Sequence, residues 1–97
     1  MIRVTVMYPK AEGSTFDLDY YAATHMPLVH KVMPGVLKTE IDKPVMDGPY
    51  LCIGHLYFES MATFGAAAGA PDAGQAQADI PNFTNTTPVM QISEILA

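Results

Sequence analysis

Apolar and polar residues alternate along three short segments of the chain, and a period of two is typical of β-strands. Residues 2–8 alternate in this way until Pro9 ends the pattern. Residues 36–42 predict a half-polar strand at a sheet edge, and residues 88–96 predict the last strand. Residues 50–59 are apolar on both faces, which favours a central strand that is covered on two sides.

Helical signals lie between the predicted strands. Asp17 is placed to cap a helix, and Pro27 falls inside it, so the sequence predicts a kink near His25. Ser60 is a good cap for a second helical region, and its many Ala and Gly residues predict two short pieces divided near residues 70–71.

The predicted order is therefore β-α-β-β-α-β. With right-handed crossovers, this order gives a four-stranded antiparallel sheet with both helices on one face, the α+β arrangement called ferredoxin-like. The other face of such a sheet is open, yet three of the strands carry apolar residues on both faces. A second copy of the chain is the simplest cover, so we expect a homodimer through the sheet faces.

Composition limits the partners. A chain of 97 residues predicts one domain, residues 1–97, and 49% hydrophobic residues exclude disorder. A net charge of -5 without a basic run argues against nucleic acid or an anionic membrane. No apolar run is long enough for a membrane span and the first residues read as a strand rather than a signal peptide, so we expect a cytoplasmic protein.

Two histidines are the first candidates for chemistry. An imidazole transfers protons near neutral pH, and the kink at Pro27 can aim His25 into a cleft; the alternative is a bond to a carbonyl that the proline leaves free. His55 is the only polar residue of the central strand, and it is either a satisfied core histidine or a second proton-transfer group across a cavity.

The supporting candidates are an amide and three phenols. Asn82 can orient a substrate carbonyl, although Asn also forms turns, and Tyr8, Tyr21 and Tyr57 can donate hydrogen bonds to a substrate or simply pack. Cys52 reads as an inert buried thiol. We expect no metal, since the Cys and His spacings fit no ligand set, and no nucleotide cofactor, since no Gly-rich phosphate loop is present.

Four strings of residues, spread over nearly the whole chain, resemble the EthD family, which is named for ethyl tert-butyl ether degradation. They are Phe16-Asp17-x-x-Tyr20-Tyr21-x-x-x-His25-Met26-Pro27-Leu28-Val29, Ile53-Gly54-His55-Leu56, Ala78-Asp79-Ile80-Pro81-Asn82-Phe83-Thr84-Asn85 and Pro88-Val89-x-Gln91-Ile92-Ser93-Glu94. The resemblance implies the dimeric α+β barrel fold, whose wider superfamily includes monooxygenases, isomerases, dehydratases, cyclases and decarboxylases.

The leading hypothesis is thus a cofactor-independent enzyme that acts on a small hydrophobic or aromatic compound, as in ether or aromatic degradation. In it, His25 is the general acid or base, with His55 and Asn82 in support. The competing hypothesis is a non-catalytic protein that binds such a compound or delivers it to a partner oxygenase.

Overall fold

Four antiparallel strands form one sheet. The computed structural model describes all residues from Met1 to Ala97. The strands are β1 (Ile2–Pro9), β2 (Lys38–Asp42), β3 (Tyr50–Phe58) and β4 (Val89–Glu94), in the order β2-β3-β1-β4. The predicted topology is confirmed, with β1 and β3 in the centre. The outer strands are shorter than predicted. For example, β2 begins at Lys38 rather than at residue 36, although the Leu37 amide just before it still donates to the Tyr57 carbonyl.

The first helical region is continuous but changes its winding. It consists of α1 (Leu18–Tyr20), a π-helical turn (Tyr21–His25) and α2 (Met26–Val32). Asp17 caps it as predicted, accepting from the Tyr20 amide at 3.0 Å. The predicted kink takes the form of the π-helical turn, in which the Met26 amide bonds the Tyr21 carbonyl. Pro27 explains the change because it has no amide hydrogen for the carbonyl four residues back.

The second helical region is divided as predicted. It comprises α3 (Met61–Ala68), α4 (Gly74–Ala78) and a 3-10 turn (Ile80–Asn82). Ser60 caps α3, since its hydroxyl accepts from the Thr63 amide at 3.2 Å. None of the helices is long and apolar enough to cross a membrane.

The core lies between the helices and one face of the sheet. Val4, Tyr8, Cys52 and Leu56 point to this side and pack with buried residues of the helices. Gly54 also faces the helices, and a Cβ there would overlap the hydroxyl of Tyr21. The absence of a side chain at this position lets Tyr21 lie directly on the sheet.

The opposite sheet face carries apolar residues at one end and polar residues at the other. Met7 stands between Ile53 and Val89, and Asp42 of the edge strand β2 continues this row beyond Ile53. The next rows on this face are polar and are formed by Arg3, Thr5, Lys38, Glu40, His55, Tyr57, Gln91 and Ser93. The open face is therefore more polar than the alternation of the strands had indicated.

A candidate acid-base site

His25 ends the π-helical turn and is buried under aromatic rings. The ring of Tyr21 stacks on its imidazole with a centroid distance of 5.3 Å and an interplanar angle of 13°. The ring of Phe83 approaches from another side, at 4.6 Å. Only 5% of His25 is exposed, so its ring is held in one orientation within the core.

Asp79 is the hydrogen-bond partner of this histidine. Its Oδ2 lies 3.0 Å from Nδ1 of His25. Its Oδ1 accepts from the hydroxyl of Tyr20 at 2.7 Å and from the side-chain amide of Asn82 at 2.9 Å. Both oxygens of a nearly buried carboxylate are therefore satisfied by donors.

Two opposed effects set the charge state of Asp79. Burial alone raises the pKa of the carboxyl, but hydrogen bonds from Tyr20, Asn82 and His25 outweigh burial and leave the pKa below its ordinary value. Asp79 is thus a carboxylate at neutral pH. A carboxylate is an acceptor only, so Nδ1 of His25 carries the hydrogen and the neutral ring has its lone pair on Nε2.

Nε2 of His25 is free to meet a ligand. This atom has no hydrogen-bond partner in the chain, since only Nδ1 is bonded. No fully buried side-chain nitrogen or oxygen lacks a partner, so Nε2 has accessible surface. His25 is also one of the residues that line a cavity.

Local structure brings Asp79 to the helix. Asp79 lies between α4 and the 3-10 turn, and the Asn82 amide bonds its carbonyl at 3.0 Å. The loop that follows is tied to the start of the first helix, since the Asp17 amide bonds the Phe83 carbonyl at 2.7 Å. These bonds fix Asp79 opposite the turn that carries His25.

A cavity of about 210 Å³ lies between the helices and the sheet. Its walls come from β1, β3, β4 and every helix except α1, and they are mostly apolar: Val4, Val6, Tyr8, Tyr21, His25, Met26, Val29, Met33, Leu56, Phe64, Ala68, Ala73, Gly74, Ala76, Gln77, Ile80, Pro88 and Met90. An apolar cavity of roughly 150 Å³ takes up benzene. The space therefore suits a compound of about one ring system.

The candidates Tyr8 and Tyr21 line this cavity, whereas two other candidates do not. His55 and Tyr57 lie on the open sheet face, so the prediction that the two histidines face one cavity is wrong within a single chain. The side-chain period of a strand explains the difference, because Leu56 faces the cavity and its neighbours must face away. Nε2 of His55 lies 2.7 Å from Asp42, on that same face.

The other candidates have defined places. Asn82 holds Asp79 and lines an open polar groove of about 770 Å³ outside the apolar cavity. The thiol of Cys52 is buried, and burial raises its pKa to about 11. No three His, Cys, Asp or Glu side chains come together in a geometry that could hold a metal ion.

Asp79 is the member of the candidate site that sequence reasoning missed. It stands 54 residues from His25 in the chain, inside a string that carried only the family resemblance. Its one local signal is the Asp-x-x-Asn spacing with Asn82, which is equally common in turns.

Comparisons with known proteins agree with this fold. The EthD domain model matches residues 13–87. An uncharacterized 11.0 kDa protein in the thcB-thcC intergenic region of Rhodococcus erythropolis is 36% identical over 90 residues, which cover 88% of this chain and 85% of that protein. The crystal structure of an EthD-like protein from Ralstonia eutropha has a TM-score of 0.86 and 31% identity, covering 99% of this chain and 92% of the other.

More remote structures share the architecture alone. SnoaB, a cofactor-independent oxygenase from Streptomyces nogalater, has a TM-score of 0.67 with 9% identity, covering 99% of this chain and 92% of that one. At such low sequence identity, the structural similarity shows a shared fold but not a shared activity. The family is established by the match of the domain model over most of the chain and by the relatives above 30% identity, and the chain belongs to the EthD family.

Proposed function

We propose that this protein is a cofactor-independent enzyme that moves protons on a small hydrophobic or aromatic compound, with His25 as the general base and acid. The observation that carries the proposal is the pairing of His25 with the Asp79 carboxylate at the wall of an apolar cavity. Asp79 acts as a positioning residue, since it holds the imidazole and touches no ligand.

The geometry supports a simple proton transfer. Nε2 of His25 takes a proton from a carbon next to a substrate carbonyl, and the C–H electron pair becomes the enolate double bond while the carbonyl oxygen gains the negative charge. The imidazolium that forms lies 3.0 Å from the Asp79 carboxylate, which stabilises it. The same Nε2 then returns a proton to the substrate, so the enzyme ends in its starting state.

The bonding of His25 favours catalysis over passive binding. A histidine that serves only the fold usually donates to a backbone carbonyl and has no free nitrogen. Here Nδ1 meets a carboxylate, which fixes the tautomer and orientation of the ring, and Nε2 has no partner in the chain.

The test uses 2-indanone, a neutral ketone of one fused ring system with acidic C–H bonds, dissolved in deuterium oxide. Loss of its α-proton signal in NMR spectra reports exchange. We expect wild-type protein to accelerate exchange and His25→Gln to lose the acceleration by about 100-fold or more. His30→Gln is the matched control because His30 is exposed and bonds Thr39 outside the cavity.

Equal exchange rates in wild type and His25→Gln would contradict the proposal, as would no acceleration by the wild type. His55→Gln adds a second comparison, since His55 lies on the other sheet face. If the cavity of one chain forms the complete catalytic site, His55→Gln should catalyse α-proton exchange of 2-indanone at the wild-type rate.

The same proposal includes a homodimer through the open sheet face. The apolar neighbours Met7, Ile53 and Val89 support it, because Met7 and Ile53 are only partly buried within the chain and Val89 is half exposed. Light scattering at micromolar concentration should give twice the 10.5 kDa of the chain. Ile53→Lys should lower the mass to that of one chain, while Val45→Lys, in an exposed loop, should leave the dimer intact. A monomeric wild-type mass would refute the dimer.

A further inference from the structure

The cavity wall contains few polar groups, and the kind of these groups limits which ligands the cavity can bind. Among its eighteen lining residues there is no Asp, Glu, Lys or Arg. The polar side chains are the imidazole of His25, the amide of Gln77 at the rim and the phenols of Tyr8 and Tyr21. No fixed cation is therefore available to neutralise an anionic ligand.

One phenol proton is free to bind a ligand. Tyr8 and Tyr21 both line the cavity and are each 1% exposed. Neither hydroxyl bonds a backbone carbonyl or any third side chain. Even a bond between these two hydroxyls would use only one of their protons, so a second proton has no acceptor in the chain.

The position of Tyr21 identifies the donor that is available to a ligand. The Tyr21 hydroxyl lies directly against Gly54 of the sheet, which leaves the Tyr8 hydroxyl as the donor for a ligand. Burial raises the pKa of Tyr8 to about 12, so its hydroxyl keeps its proton at neutral pH.

From these groups we infer that the substrate is an uncharged compound of about one ring system with an enolisable carbonyl, whose oxygen accepts from the Tyr8 hydroxyl while the adjacent C–H meets Nε2 of His25. This assignment rests on the proposed function and narrows it. The cavity offers one neutral donor and one acceptor in apolar surroundings, which matches a ketone and the enolate formed from it.

A carboxylate substrate fits poorly. A buried carboxylate without a cationic partner loses its hydration and gains no ion pair in return. The Asp79 carboxylate, which bonds His25 in the cavity wall, repels a second anion. Decarboxylation is thus disfavoured among the reactions that the resemblance implied, whereas isomerisation, dehydration and cyclisation of neutral carbonyl compounds are favoured.

The experiment measures binding to the wild-type protein of two ligands of similar shape, 2-indanone and indane-2-carboxylate, by ligand-observed NMR titration at pH 7. We expect the carboxylate to bind at least about 10-fold more weakly. Tyr8→Phe should weaken the binding of 2-indanone by about 5-fold, which corresponds to the loss of one neutral hydrogen bond. Tyr57→Phe is the matched control, since its hydroxyl bonds Arg3 and Glu40 on the other face.

Tighter or equal binding of the carboxylate would overturn the inference, as would 2-indanone affinity that is the same in wild type and Tyr8→Phe, or no binding of 2-indanone at all. If Tyr8→Phe does not fold, the comparison of the two ligands on wild-type protein still decides the question. Binding in the expected pattern without α-proton exchange would contradict the proposed acid-base function and leave the substrate class standing.

Discussion

Replacing Asp79 with Asn tests the bond that orients His25. The amide keeps one oxygen that can accept from Tyr20 or Asn82, but its NH2 group would then face the Nδ1 hydrogen of His25. Asp79→Asn thus replaces an attractive contact with two opposed donors at a site where the carboxylate side chain is only 10% exposed. The exposed bond to Asn82 contributes little to stability, so the loss of the His25 contact determines how much Asp79→Asn lowers the free energy of unfolding.

A buried donor without an acceptor costs about 1–3 kcal/mol. For a domain of this size, a loss of about 2 kcal/mol lowers Tm by about 8–16 °C. Urea unfolding at pH 7, followed by far-UV circular dichroism, measures the free-energy difference directly. Asp72→Asn is the matched control, because Asp72 is exposed and its change should stay within about 0.5 kcal/mol.

The pH dependence gives a second check. Since the folded-state pKa of Asp79 lies below its ordinary 3.8, its contribution is complete above that pH and is lost as the pH falls through the folded value. The gap between wild type and Asp79→Asn should therefore close below about pH 4. A gap of the same size for Asp72→Asn, or no gap at pH 7, would refute the role given to Asp79.

Three further measurements test the packing. Gly54→Ala should destabilise the fold by about 1–3 kcal/mol in urea unfolding because its methyl group overlaps the Tyr21 hydroxyl, and Tyr21→Phe in the same chain should recover part of the loss. Ser60→Ala should cost about 1 kcal/mol through the lost cap of α3, and no loss would show that the cap is unimportant. Cys52, with its pKa of about 11, should be about one part in a thousand thiolate at pH 8 and react with a disulfide reagent only after unfolding; rapid reaction of the folded protein would contradict its burial.

The fold was predictable because its signals are local. Alternation along residues 2–8, the cap at Asp17 and the break near residues 70–71 each depend on neighbours in sequence. The π-helical turn at Tyr21–His25 was harder to predict, because Pro27 shows that one helical hydrogen bond is missing but not how the chain compensates for it.

The site was only partly predictable because it depends on contacts between distant residues. His25, Tyr8 and Tyr21 were proposed from residue type, while the contact of Asp79 with His25 spans 54 positions and has no signal in the sequence. His55 shows the opposite failure: its polarity was noticed, but being next to Leu56 in the strand places it on the face away from the cavity.

The central claim is that His25 presents a free Nε2 to the cavity while Asp79 holds its Nδ1 hydrogen. Nitrogen-15 NMR of the histidine side chains, recorded near pH 8 with and without 2-indanone, tests it most directly. The account predicts a protonated Nδ1 and a bare Nε2 whose chemical shift moves when the ketone is added. A hydrogen on Nε2 with a bare Nδ1, or an Nε2 chemical shift that does not change when the ketone binds, would contradict the account.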